Sequence, residues 1–141
     1  MKLLTLARDL RRRKARERQA LFVCEGARTV EELLRSDLRI RGALAAPPLF
    51  DAHGRAEQVA AALRARGVDV LEVTAAEFES AAETETPQGI LAIAAIPGRE
   101  LGSIAVPKRF RLLVLDGVQD PGNVGTIVRT AAALGAAATV A

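Results

Sequence analysis

Along the first 96 residues, short apolar stretches alternate with stretches whose apolar side chains recur every three or four positions. No other feature restricts the fold as much. Leu3, Leu4, Leu6, Ala7 and Leu10 are spaced for a short amphipathic helix over residues 2–10. The basic run over 11–18 either extends that helix or forms an exposed loop. Leu21-Phe22-Val23-Cys24 reads as a strand closed by Glu25-Gly26, and Val30, Leu33 and Leu34 share one face of a helix over 27–36. Residues 39–45 read as a strand that Pro47-Pro48 stops. A further helix spans 56–66, with Val59, Ala60 and Leu63 inward and Gly67 just past its end. A strand over 68–73 leads to Thr74, which suits the N-cap of a helix over 75–82, and 89–96 is a wholly apolar strand. This interleaving predicts an α/β layered domain with a largely parallel or mixed sheet.

Half of the 141 residues are hydrophobic, yet only four are aromatic, all Phe, so the core must be aliphatic. No apolar run reaches the roughly 18 residues that would span a membrane. The basic N-terminus lacks the apolar segment of a secretory signal. The single cysteine, Cys24, excludes an internal disulfide framework and suits a reducing cytoplasm; within an apolar strand it is expected to be a buried, inert thiol. One His and one Cys make no metal-ligand cluster. The net charge of +3 conceals an asymmetry. Residues 1–18 hold eight Lys or Arg against Asp9 and Glu17, a net of +6, while the remainder carries −3. Arg11, Arg12, Arg13, Lys14 and Arg16 are therefore candidates to meet the phosphates of RNA, although a solvated helix face would have the same composition.

Residues 97–109, with two Pro and two Gly, read as a linker between a domain over 1–96 and a segment over 110–141. Leu112-Leu113-Val114-Leu115 has no polar alternation and predicts a strand buried on both faces, as in a parallel sheet. A turn-rich stretch follows, then a helix over about 123–134 with Gly135 beyond it, then the start of another strand. Asn123 suits the cap of that helix. Val124, Ile127, Val128, Ala131 and Gly135 form the stripe expected to pack on the sheet, and Arg129 lies roughly 140° from Val124, off the stripe. Gly125, one turn earlier, leaves room for a ligand or a second subunit to approach Arg129. The mouth of a parallel strand is where open α/β sheets place their ligands. The segment is neither a P-loop nor a dinucleotide fingerprint.

The stretch Asp120-Pro121-Gly122-Asn123-Val124-Gly125-Thr126-Ile127-Val128-Arg129-Thr130-Ala131 resembles the first signature motif of the SpoU-type RNA ribose 2′-O-methyltransferases, a branch of the SPOUT superfamily. Lys14-Ala15-Arg16 followed by Phe22-Val23-Cys24-Glu25-Gly26 resembles the start of that family's substrate-binding domain, and Thr86-Pro87-Gln88-Gly89-Ile90 resembles its closing strand. The resemblance implies a small ribosomal-protein-like α/β/α RNA-binding domain, followed here by the first β-α unit of a trefoil-knot domain. It also implies S-adenosylmethionine as methyl donor, homodimerisation of the full-length protein, and rRNA or tRNA as substrate. Asn123 and Arg129 match the family's catalytic Asn and Arg. Glu25 matches a position whose role is open between turn structure and RNA contact. The family's second and third motifs, which carry the knot and most of the donor site, are not in this sequence, so residues 1–141 alone are expected to be inactive.

Arg is always protonated in practice, so a simple base role for Arg129 is physically awkward. Clamping a substrate phosphate and orienting the ribose suits its planar fork better. His53, in the turn-like Asp51-Ala52-His53-Gly54, is expected to be a surface loop residue without catalytic work. The competing reading is a non-catalytic RNA-binding module, which would have no need of Asn123 and Arg129.

Overall fold

The computed structural model describes residues 2–98, 102 and 108–140, so most of the stretch read as a linker over 97–109 lies outside the described residues. Contacts divide the chain into two compact units, Met1–Pro97 and Gly98–Ala141.

The first unit opens with helices α1 (Leu3–Leu10) and α2 (Arg13–Gln19), so the basic run becomes a separate helix. Ala20 breaks the run by taking a left-handed conformation at φ 50°, the only described non-glycine residue to do so. There follow β1 (Leu21–Glu25), α3 (Ala27–Arg35), β2 (Ile40–Ala45), a 3₁₀ turn at Pro47–Leu49, α4 (Arg55–Ala65), β3 (Val70–Glu72), α5 (Ala75–Glu79) and β4 (Ile90–Ala95). The strands form one mixed sheet in the order β1-β4-β2-β3. Only β2 and β3 are parallel; β4 runs antiparallel to both β1 and β2, so of the two sheet types expected the mixed one is found, and it is mostly antiparallel.

Both faces of the sheet are covered. Ile90, Ala92 and Ala94 of β4 point into one cluster with Val30, Leu33, Val59, Ala60 and Leu63 of α3 and α4. Leu91 and Ile93 point into the other, with Leu6, Ala7 and Leu10 of α1 and with Phe78 of α5. Successive side chains of a strand face opposite sides, so a strand covered on both sides must be apolar throughout. The 3-and-4 spacing of the buried residues in α1, α3 and α4 is the stripe a helix needs to lie on such a sheet. Cys24 is buried in the α3/α4 cluster, and burial pushes its thiol pKa up. Thr74 caps α5 in a reciprocal box with Glu77, though the helix stops at Glu79 rather than continuing to 82.

The second unit pairs β5 (Leu112–Val114) with β6 (Ala138–Val140) in parallel, joined through α6 (Pro121–Ala133). The expectation of a strand buried on both faces fails here. Leu113 and Leu115 are half-buried, whereas Leu112 and Val114 are 42% and 62% exposed. Burial on two faces needs layers on both sides, and a two-stranded sheet with one helix supplies a single layer. Every buried core residue lies between Leu6 and Ala94, so this unit has no fully enclosed core among the described residues. No helix among the described residues is long and apolar enough to cross a membrane.

Candidate functional site

The loop after β5 and the first turns of α6 hold the residues that the sequence singled out. Asp120, not Asn123, caps α6: its Oδ1 accepts from the Asn123 backbone N–H at 2.7 Å. Pro121 takes the first helical position, where its fixed φ fits and its missing N–H is no loss. This places Asn123 inside the first turn, exposed, its amide side chain available to a ligand.

Arg129 is exposed and folds back along the helix. Its Nη2 donates to Thr126 Oγ1 at 3.3 Å, and Thr126 Oγ1 in turn donates to the Gly122 carbonyl at 2.9 Å. A β-carbon on Gly125 would stand 3.1 Å from Arg129 Nη1. The gap left by Gly125 is thus occupied by the guanidinium itself, rather than standing open for an incoming group. No described carboxylate pairs with Arg129, so its charge is free to meet an anion. Gly125 is two residues past Asn123, about 3 Å along the axis, so the guanidinium stands near the level of Asn123, although no hydrogen bond joins the two side chains. The predicted stripe is correctly oriented but only half-buried: Val124, Ile127, Val128 and Ala131 are the sheltered residues of α6 together with Gly125, while Gly135 is exposed past the helix end at φ 80°.

A cleft lined by Lys108, Arg109, Phe110, Arg111 and Gly135 lies at the other end of β5 from Asn123 and Arg129.

In the first unit the basic residues are less free than the sequence implies. Arg11 donates to the Ser80 carbonyl at 3.2 Å, Arg12 pairs with Asp9, and Arg13 Nε meets Glu17 Oε1 at 2.7 Å. Arg16 is half-buried and donates to the carbonyls of Leu10 and Arg11 at 2.9 and 2.8 Å, satisfying the end of α1. Lys14 is exposed and makes no such bond among the described residues.

A separate cleft of about 300 Å³ lies between residues 25–29 and 84–88, lined by Glu25, Gly26, Arg28, Thr29, Thr84, Thr86 and Gln88. Glu25 accepts from the backbone N–H of Glu83 at 2.8 Å and from the Thr84 hydroxyl, so its carboxylate organises the turn. Gln88 Oε1 accepts from Ala27 N–H at 3.1 Å, at the start of α3. Two of the three stretches that carry the family resemblance thus meet in space. Arg28 and Thr29 carry no signal in the sequence and Gln88 only that of the resemblance, because the pairing of β1 with β4 is what brings the three together. His53 is exposed in its loop, where its backbone N–H donates to Asp51 Oδ1 at 3.1 Å.

The family model described as the MRM3-like substrate binding domain matches residues 5–92. The 23S rRNA (guanosine(2553)-2′-O)-methyltransferase RlmP of Bacillus subtilis is 32% identical over 94% of this chain and 48% of its own length. The human mitochondrial rRNA methyltransferase 3 is 30% identical over 87% of this chain and 29% of its own. Among solved structures, the AdoMet-bound rRNA methyltransferase from Sinorhizobium meliloti superimposes with a TM-score of 0.76 at 32% identity, covering 97% of this chain and 49% of that one. The chain spans about half the length of the Bacillus relative or less than that of the human one.

Proposed function

Because this chain belongs to the SpoU-type RNA ribose 2′-O-methyltransferases, we propose that it supplies the RNA-holding domain and the first catalytic residues of an enzyme that methylates a ribose 2′-hydroxyl in ribosomal RNA. The carrying observation is the Arg129 guanidinium, exposed, steadied by Thr126 over Gly125, and with no carboxylate partner among the described residues.

A ribose hydroxyl is a weak nucleophile at neutral pH and needs positioning and loss of its proton. Arg129 clamps the adjacent phosphate through its planar fork, and its positive charge lowers the cost of losing the hydroxyl proton. Asn123, at the first turn of the helix, holds the ribose with an amide that both donates and accepts. In the family, S-adenosylmethionine supplies the methyl group. Binding of that molecule is assigned to the full-length protein, together with completion of the trefoil knot and a homodimer. The exposed Leu112, Val114 and Leu134 support this, since such apolar surface favours cover by further protein.

Residues 1–96 then form the ribosomal-protein-like domain that holds RNA, 97–109 the linker, and 110–141 the start of the methyltransferase domain. Arg11, Arg12, Arg13, Lys14 and Arg16 give the front end its surplus charge. Arg16 acts chiefly by fixing α1, so the other four carry the phosphate contact. In a bacterium the substrate places the protein in the cytoplasm.

The test is Arg129→Lys in the full-length protein, read as transfer of a labelled methyl group from S-adenosylmethionine to an rRNA transcript. A loss of about 10²-fold or more in turnover is expected, as for removal of a single preorganised donor. Near-normal turnover would refute the role.

A further inference from the structure

At the end of the sheet where β1 begins and β4 ends, Leu21, Arg39, Arg41 and Ala95 enclose a cleft of about 180 Å³. Its frame is backbone: Ala95 N–H donates to the Arg39 carbonyl at 2.9 Å, and Ile96 N–H to the Ala20 carbonyl at 2.8 Å.

The strand is irregular at this point. Ile40 pairs with Ala94 but Gly42 with Ile93, which makes Arg41 an extra residue in the ladder. Ile40 packs on the α3/α4 layer, while Gly42 lies against Leu3 of α1 on the other side. In a regular strand, residues two apart share a face, and Arg41 would follow Ala43 and Ala45 into the α3/α4 layer. The bulge keeps its guanidinium out of that core and in solvent beside Arg39.

Neither Arg39 nor Arg41 forms a side-chain hydrogen bond or an ion pair among the described residues, and both are exposed. This contrasts with α1 and α2, where Arg11, Arg12, Arg13, Arg16 and Arg18 all have internal acceptors. Of the positive charge that the sequence places at residues 11–18, the arginines are therefore engaged and Lys14 is not, while Arg39 and Arg41 add two unengaged charges at the start of β2.

We propose that Arg39 and Arg41 form a phosphate-binding site at this lip of the sheet, taking the backbone of the RNA substrate. The inference rests on the RNA reading above and adds a second contact to it. It predicts recognition by backbone and not by base, since the cleft has no aromatic surface for stacking.

The experiment measures binding of a labelled RNA hairpin to the full-length protein as salt is raised. Wild type is compared with Arg39→Gln/Arg41→Gln, with Arg39→Lys/Arg41→Lys, and with a variant neutralised at Arg11, Arg12, Arg13 and Lys14. Thermal unfolding checks each fold. Losing two phosphate contacts should flatten the slope of log K against log salt by about 1.4–1.8 in the Gln variant, with the Lys variant retaining most of it. An unchanged slope in a folded Gln variant overturns this inference while leaving the RNA reading intact. A lowered melting temperature with an unchanged slope overturns it as well, by assigning the pair to contacts within the protein. If wild type shows no salt-dependent binding, the RNA reading fails and this inference with it.

Discussion

The Arg129 guanidinium lies across the bare backbone of Gly125, with Nη1 3.1 Å from where a β-carbon on that residue would stand. Stability and activity should therefore respond in opposite directions to one methyl group. Gly125→Ala removes a helix-interior glycine, which stabilises by about 0.5–1 kcal/mol in an otherwise tolerant position. It also displaces the guanidinium from its place beside Thr126. Denaturant unfolding should show equal or greater stability, while methyl transfer by the full-length variant falls. Retained turnover would show that the close approach has no part in catalysis.

The identity of the α6 cap is open to a direct comparison. Asp120→Ala should cost about 1 kcal/mol, because the Asn123 N–H loses its acceptor, and Asp120→Asn should recover most of that. Asn123→Ala should leave stability within about 0.5 kcal/mol, as expected for an exposed side chain with no partner among the described residues, and yet reduce turnover. If Asn123→Ala is the more destabilising of the two, Asn123 is structural and the ribose-holding role falls.

Gly89, which follows the 84–88 side of the cleft, is closely hemmed in by main chain and side chains. Its φ is 72°, and an added β-carbon would meet the Ala46 carbonyl at 2.6 Å. Gly89→Ala combines backbone strain with a clash against main chain that cannot rotate away, so a loss of about 2 kcal/mol or more is expected in urea unfolding. A neutral result would mean that β4 can enter the sheet along another path.

Acid should weaken the first unit through identifiable groups. Glu31 is held below the ordinary glutamate range, first by its side-chain hydrogen bonds from Arg55, at 2.8 and 2.7 Å, and Glu77 is lowered chiefly by the Thr74 backbone N–H. A depressed folded-state pKa contributes stability that is fully present above the unfolded value, about 4.3, and lost as pH falls through the folded one. Urea midpoints should therefore fall below about pH 4. Arg55→Met should lower the midpoint at pH 7 and show a shallower acid decline. Parallel curves for the two proteins would exclude the Glu31–Arg55 pair as a contributor.

The parts of this fold that could be read from the sequence are those that depend on near neighbours. The stripes of α3 and α4, the Thr74 cap with Glu77 three residues on, and the wholly apolar β4 all follow from local periodicity and the need for cover. Strand pairing does not, because β1 finds its partner in β4, the last strand of the unit. The bulge that turns Arg41 outward is equally invisible, since it depends on which layers Ile40 and Gly42 meet. The Asp120 cap did carry a local signal, an Asp before a Pro at the first helical position, but Asn123 offered a competing capping residue three positions on. At β5 the apolar run was over-read: it implies a need for cover, and the second unit provides cover on one side only. At the site itself, the placement of Arg129 off the apolar stripe was legible from helical angle, whereas its return over Gly125 depends on a rotamer held by Thr126.

The pairing of β1 with β4 also sets an order of events during synthesis. Leu21 leaves the ribosome early, but its partner Ala95 follows only after α3, β2, α4, β3 and α5 have been made. Until then Leu6, Ala7 and Leu10 of α1 lack Leu91 and Ile93, the central apolar residues that they cover. The sheet closes, and the front end acquires its seat, only when the last strand enters between β1 and β2.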